Sequence, residues 1–107
     1  MSATAAQTAV LSGPKSVVER GSEDYPERFL RCGSPPDRLY VIGDVAVLRM
    51  PSLSVVGARK ATPYGRGCAR RFSTLAAARG LVIVSGGARG CGSEAHRAAI
   101  AEGAPTV

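Results

Sequence analysis

The sequence has no tryptophan and only five aromatic residues among 107, so its core must be built from small aliphatic side chains. It also has no run of about 18 apolar residues, the length that a membrane-spanning helix needs. The N-terminus lacks the charged start and long apolar stretch of a secretion signal. We therefore expect a cytoplasmic protein without a membrane partner. A hydrophobic content of 45% argues against wholesale disorder, and the length fits one domain.

Metal ligands and disulfide partners are also scarce. The three cysteines, Cys32, Cys68 and Cys91, are odd in number and far apart, so they form neither a disulfide framework nor a CxxC metal knuckle. We expect reduced thiols. His96 is the only histidine, and no pair of carboxylates lies near it. The sequence therefore predicts no metal site.

Acidic residues are scarce in the second half of the chain. Residues 1–58 carry six basic and six acidic groups, whereas residues 59–107 carry eight basic groups and only Glu94 and Glu102 as acids. The whole net charge of +6 thus lies in the second half. This asymmetry indicates a polyanionic partner, and the alternative is a solvated basic face that keeps the protein soluble.

The second half alternates between short apolar strands and helices, which is typical of a parallel α/β sheet. Thr62 and Pro63 predict a helix start, and Gly80 predicts its end. We expect Cys68, Phe72, Leu75 and Ala76 to form its buried stripe. A second helix is predicted from a Ser93 cap to about Glu102. The predicted strands are residues 53–56, 81–84 and 105–107. This order predicts a Rossmann-like three-layer α/β fold with a mostly parallel sheet.

The first half has a weaker pattern. Residues 1–14 are expected to be a flexible tail, and residues 15–52 a lead-in segment that packs on the sheet. This segment has short strands near Val17 and over residues 39–42, and a helical turn after Pro26. Residues 53–107 are then the partial Rossmann-like unit that binds a ligand.

Two glycine-containing loops follow the first two strands of this unit, at residues 57–62 and 85–92. Ligands of open parallel sheets bind beyond the carboxyl ends of the strands, where these two loops lie. Glycine lets backbone N–H groups approach an anion, and the following helix N-termini favour negative charge. Arg59 and Lys60 in the first loop, and Ser85 and Arg89 in the second, complete a candidate phosphate site.

Either loop alone is weak evidence for a phosphate site. Neither has the spacing of GxGxxG or GxxxxGK[ST], so a dinucleotide cofactor is not expected. The glycines could simply turn the chain while the cations face water. Arg66 and Arg70 are interpreted as a solvated helix face, and His96 as a packed or surface histidine unless it adjoins the second loop.

Four segments together resemble the DNA-processing protein A family (DprA, also called Smf). Val55–Gly65 is similar to its VGSR-x-x-[ST]-x-YG motif, and Ile83–His96 to its IVSGLARGIDAAAH motif. Two upstream segments, residues 25–30 and 36–44, resemble its YPxxL and PPxxLYxxGD segments. The resemblance covers about residues 15–107 in unbroken order.

This resemblance implies a Rossmann-like protein that binds single-stranded DNA and delivers it to the recombinase RecA in natural transformation, competence and DNA recombination. It implies no catalysis and no cofactor. The DNA phosphates would meet a basic pocket, with these carried-over residues: Gly57, Arg59, Lys60, Ser85, Gly86, Arg89, Gly90 and His96.

The sequence departs from the family pattern in ways that leave alternatives open. Ala58 replaces a serine, Gly87 replaces a leucine, and Cys91-Gly92 replaces Ile-Asp. The chain also ends where about half of the family fold is complete, so we expect an open sheet edge and possible pairing with another copy. One alternative is a nucleotide-binding protein similar to nucleoside-monophosphate phosphoribohydrolases, whose loop resembles Ser85-Gly86-Gly87. Another is a non-functional fragment.

Overall fold

A computed structural model of the protein describes residues 13–87 and 89–107. Most of the predicted flexible tail, residues 1–12, lies outside the described residues. The chain divides into two compact units, one ending at Arg49 and the next beginning at Met50.

The first unit is a small antiparallel pair of strands with two short helical segments. Strands β1 (Lys15–Glu19) and β2 (Arg38–Ile42) pair so that Val17 lies opposite Tyr40, in agreement with the expected strands. Between them lies the one-turn helix α1 (Glu27–Leu30), and a 3₁₀ helix (Val45–Arg49) follows. Tyr25 is buried, and its hydroxyl donates a 2.7 Å hydrogen bond to the Pro36 carbonyl. One of the few aromatic side chains thus anchors this unit.

The second unit is a parallel α/β arrangement, as the alternation of strands and helices predicts. Its elements are β3 (Ser52–Ser54), α2 (Pro63–Ala78), β4 (Val82–Val84) and α3 (Cys91–Ala101). Strands β3 and β4 are parallel, with Leu53 opposite Ile83. Thr106 forms a parallel bridge to Ile83 on the other side of β4. The fold is therefore Rossmann-like, although its strands are only three residues long.

Helix α2 begins and ends where the sequence predicts. The Thr62 hydroxyl caps it by accepting a 3.1 Å hydrogen bond from the Gly65 N–H, and Pro63 occupies the first helical position. Gly80 follows the helix with a φ of +84°, a conformation that glycine adopts without strain. This helix leads from the end of β3 back to β4.

The predicted buried stripe of α2 is wrong for most of its members. Phe72 is 61% exposed and Leu75 is 45% exposed, and only Ala76 of the predicted set is buried. The buried positions are instead Ala69, Ser73, Ala76 and Ala77. Ala76 and Ala77 share a core with Ile83, Ala95 and Ala99, so alanines of α2 and α3 lie in one cluster. Small side chains thus fill this contact, and the larger apolar side chains of α2 lie outside it.

Helix α3 begins two residues before the predicted Ser93 cap. Its N-cap is Gly90, and no side chain caps this end. The second loop therefore comprises residues 85–90, and Ser93 lies within the first turn of the helix. The helix ends at Ala101, close to the predicted end, and Gly103 follows with a φ of +70°.

Candidate phosphate-binding site

The two glycine-containing loops contact one another beyond the strands β3 and β4. We call residues 57–62 the first glycine loop and residues 85–90 the second glycine loop. The Val55 N–H donates to the Val84 carbonyl, which keeps the two chain segments side by side as they enter the loops. The Cys91 N–H then donates a 3.4 Å hydrogen bond to the Ala58 carbonyl of the first loop. The loops therefore form one surface, as the sheet topology predicts.

Close approach of the two loops requires glycine at two positions. A Cβ on Gly57 would lie 2.5 Å from the Cys91 sulfur, which is too close for a side chain to fit. A Cβ on Gly90 would overlap the backbone carbonyls of Ala58 and Arg59, and Gly90 also has a φ of +83°. These glycines allow the second glycine loop to pack directly on the backbone of the first.

Three cations of these loops are available to a ligand. Arg59, Lys60 and Arg89 are all exposed. In the part of the chain that the structure describes, none of them forms an ion pair with a carboxylate. Unpaired, solvated cations keep their full attraction for a phosphate, because no internal partner has to be displaced. The loops themselves contain no acidic residue.

The other nearby arginines have an internal partner. The carboxylate of Glu94, whose side chain is only 16% exposed, lies 3.7 Å from an Arg70 nitrogen and 4.0 Å from an Arg97 nitrogen. Arg66 and Arg70 are exposed, as the sequence predicts. The only carboxylate in the first turn of α3 is thus shared between two arginines, which moderates its repulsion of an anion at this helix end.

The N-terminus of helix α3 adds positive electrostatic potential to the surface formed by the two glycine loops. Its N-terminus follows the second glycine loop directly and has no side-chain cap. The first backbone N–H groups of a helix carry partial positive charge, and the helix dipole favours an anion there. The N-terminus of α2, which follows the first glycine loop, is capped by Thr62.

Two of the predicted site residues make internal contacts. The Ser85 hydroxyl donates a 2.7 Å hydrogen bond to the Val55 carbonyl and so links the ends of the two strands. The His96 ring lies between Thr106 and Gly86, with Nδ1 2.6 Å from the Thr106 hydroxyl oxygen and Nε2 3.1 Å from the Gly86 carbonyl oxygen. Sequence reasoning missed Val55 and Thr106 as their partners, because nothing in the local pattern signals these distant contacts.

An exposed aromatic side chain adjoins the first glycine loop. Tyr64, in the first turn of α2, is 82% exposed. A phenol is uncharged at neutral pH, and a side-chain hydrogen bond with Cys68 raises the pKa of this one further. An uncharged, solvent-facing ring can stack on a nucleic-acid base.

The described residues give no sign of a membrane span or of a metal centre. None of the described helices is both long and apolar enough to cross a bilayer. Among the same residues, no three His, Cys, Asp or Glu side chains are grouped as metal ligands.

The fold is that of a Rossmann-like α/β protein, and its two contacting glycine loops, exposed cations and helix N-terminus form a candidate phosphate site. Comparison with known proteins specifies the family. The family model for DNA recombination-mediator protein A matches residues 16–107, and the chain belongs to this family.

Relatives in several bacteria are similar to this chain. It is 38% identical to Smf of Escherichia coli strain K12 over 84 residues, which are 78% of this chain and 22% of that protein. It is 39% identical to Smf of Borreliella burgdorferi over 82 residues, 77% of this chain and 26% of that protein. The chain thus spans about a quarter of the length of these relatives.

Two solved structures share the fold. The X-ray structure of DNA processing protein A from Streptococcus pneumoniae matches with a TM-score of 0.79 and 26% identity, over 95% of this chain and 36% of that chain. DNA processing protein A from Helicobacter pylori matches with a TM-score of 0.73 and 31% identity, over 89% of this chain and 41% of that chain. The latter structure was described for its single-stranded DNA binding mode.

Proposed function

We propose that this chain binds single-stranded DNA through its two glycine loops, which contact the phosphate backbone. The observation that carries the proposal is that Arg59, Lys60 and Arg89, which form no ion pair with a carboxylate among the described residues, lie on loops that contact one another. The N-terminus of α3 adds a site for an anion at the same place. The single-stranded DNA binding of the Helicobacter pylori relative supports this ligand.

Contacts to phosphate, rather than to bases, dominate the proposed binding. The groups on the site surface are guanidinium, ammonium and backbone N–H groups, which recognise phosphate without reading sequence. Tyr64 is an aromatic ring beside the loops that could stack on a base. The expected binding therefore has little sequence preference and depends strongly on salt.

We propose a binding role rather than a catalytic one. The two loops bring no carboxylate to the site. Both ring nitrogens of His96 face partners inside the protein, so the ring offers no unoccupied nitrogen to act as a base. Family membership supports a place for this binding in DNA recombination. We further propose natural transformation and delivery of DNA to RecA as the wider process, with the cytoplasm as its location.

A fluorescence-anisotropy titration of a labelled oligothymidylate at low salt tests this function. We expect a dissociation constant on the order of 10⁻⁵ M at physiological salt, typical of contacts made mainly to phosphate, and tighter binding at low salt. Absence of binding at low salt would refute the proposal. Ribose release from nucleoside monophosphates, lost in Arg59→Ala, would instead favour the phosphoribohydrolase-like alternative.

A further inference from the structure

The His96 side chain joins three separate segments of the second unit. It projects from α3, its Nδ1 lies 2.6 Å from the Thr106 hydroxyl oxygen, and its Nε2 lies 3.1 Å from the Gly86 carbonyl oxygen. Thr106 belongs to the segment that bridges β4, and Gly86 belongs to the second glycine loop. The ring is half-buried: its contact with Thr106 is partly shielded from water, whereas its contact with Gly86 is exposed.

The hydrogen-bond partners of the His96 ring determine which of its two nitrogens carries hydrogen. The Gly86 carbonyl oxygen can only accept, so Nε2 must donate to it. In the neutral ring, Nδ1 then accepts from the Thr106 hydroxyl. In the charged ring, Nδ1–H donates to the Thr106 hydroxyl oxygen. That hydroxyl in turn donates to the Ile83 carbonyl oxygen, 3.0 Å away. That carbonyl also accepts from the Val107 N–H at 2.8 Å, so it has a partner in both states.

The remaining tautomer does not fit this arrangement. With hydrogen on Nδ1 alone, the lone pair of Nε2 would face the lone pairs of the Gly86 carbonyl at 3.1 Å. This lone-pair repulsion is unfavourable, and it leaves the carbonyl without this donor. The Nε2–H bond to Gly86 is therefore common to every form of the ring that fits the structure.

This bond determines how the Gly86–Gly87 peptide is oriented. The peptide is trans, so the Gly87 N–H points away from the Gly86 carbonyl and hence away from His96. A Cβ on either glycine would meet no other atom within 4 Å, and the Gly86 carbonyl oxygen lies against Gly92 of α3, where an added Cβ would be 3.1 Å from it. Two successive glycines have unusual conformational freedom, so the hydrogen bond from His96 adds a directional anchor to this packing contact.

We propose that His96 is a positioning residue for the second glycine loop. Its Nε2–H holds the Gly86 carbonyl and thereby directs the Gly87 N–H toward a bound phosphate. This inference rests on the proposed binding of DNA phosphates by the loop. It differs from the direct phosphate contact that the family resemblance implies for His96, because both ring nitrogens have partners inside the protein.

Three variants test the positioning role in the oligothymidylate titration. His96→Gln places an amide N–H near the position of Nε2, so we expect its dissociation constant to stay within about twofold of the wild-type value. His96→Leu removes the donor, and the loss of one hydrogen bond predicts binding weaker by about fivefold to tenfold. Thr106→Val keeps the Nε2–H bond and should bind like the wild type. Thermal unfolding of each variant checks that it is folded.

Two results of this titration would overturn the inference. Equal losses in His96→Gln and His96→Leu would mean that the ring itself, and not the N–H at Nε2, is required. Unchanged binding in a folded His96→Leu would mean that the loop needs no anchor.

The tautomer of His96 in the wild-type chain provides a test that needs no variant and no DNA. Side-chain ¹⁵N chemical shifts should show Nε2 carrying hydrogen at neutral pH, and a ring with hydrogen on Nδ1 alone would overturn the inference. Failure of the wild-type chain to bind DNA would refute the proposed function instead, so the two failures are distinguishable.

Discussion

Removing a single loop cation should remove one phosphate contact and so reduce the salt dependence of DNA binding. Three unpaired loop cations predict about three phosphate contacts, and single-stranded DNA contributes about −0.7 per contact to the slope of log K against log salt. The wild-type slope is then about −2.1, and Arg59→Ala or Arg89→Ala should give about −1.4. Between 50 and 200 mM salt, affinity should fall about 18-fold for the wild type and about sevenfold for either variant.

Arg79→Ala is the matched control for this measurement, because it removes the same charge from the opposite end of α2. The 16 residues of this helix span about 24 Å, more than two Debye lengths at 0.1 M salt. Its slope should equal that of the wild type in anisotropy titrations at four or more salt concentrations. If Arg79→Ala reduces the slope as much as Arg59→Ala does, binding depends on diffuse charge, and the reasoning from the loops is refuted.

Three further predictions concern stability, measured by denaturant or thermal unfolding. Gly103→Ala should lower the free energy of unfolding by about 1 kcal/mol, because only its positive φ is unfavourable for alanine. Gly90→Ala should lower it by more than about 3 kcal/mol, because its Cβ also overlaps two backbone carbonyls. Equal losses in the two variants would contradict this packing. Ser73→Ala should stabilise the fold by about 1 kcal/mol, since the buried Ser73 hydroxyl has no hydrogen-bond partner among the described residues, and a loss of stability would reveal one. Phe72→Gln should change stability by less than about 0.5 kcal/mol, because the Phe72 side chain is exposed. A loss of about 3–5 kcal/mol would instead show that Phe72 is buried, as the sequence predicts.

Local signals were sufficient to predict the strands and helices of the second unit and the meeting of its two glycine loops. Thr62 and Pro63 before α2 and Gly80 after it have local effects on the backbone, so they predict the helix bounds without knowledge of the rest of the fold. The alternation of strands and helices in the second half implies parallel strands, and parallel strands bring the two glycine loops to one edge. The contact between Gly90 and the first loop agrees with this reasoning.

Features that depend on long-range packing could not be read from the sequence. The stripe through Phe72 carries larger apolar side chains, yet the buried face of α2 is the one that carries Ala69, Ala76 and Ala77. At the start of α3, the Cys91 N–H donates to the Ala58 carbonyl in the other loop, a contact that no local pattern signals. The partner of the Ser85 hydroxyl is likewise 30 residues away, so its role in linking two strands has no local signature.

The most direct test of the central claim is to map DNA on the protein by NMR. A ¹⁵N-labelled sample titrated with a short oligothymidylate should show its largest amide shifts at residues 57–60, at residues 85–90 and in the first turn of α3. The amides of Phe72 and Arg79, near the middle and the end of α2, should remain unchanged. Largest shifts in the first unit, or none in the two glycine loops, would contradict the assignment of the site.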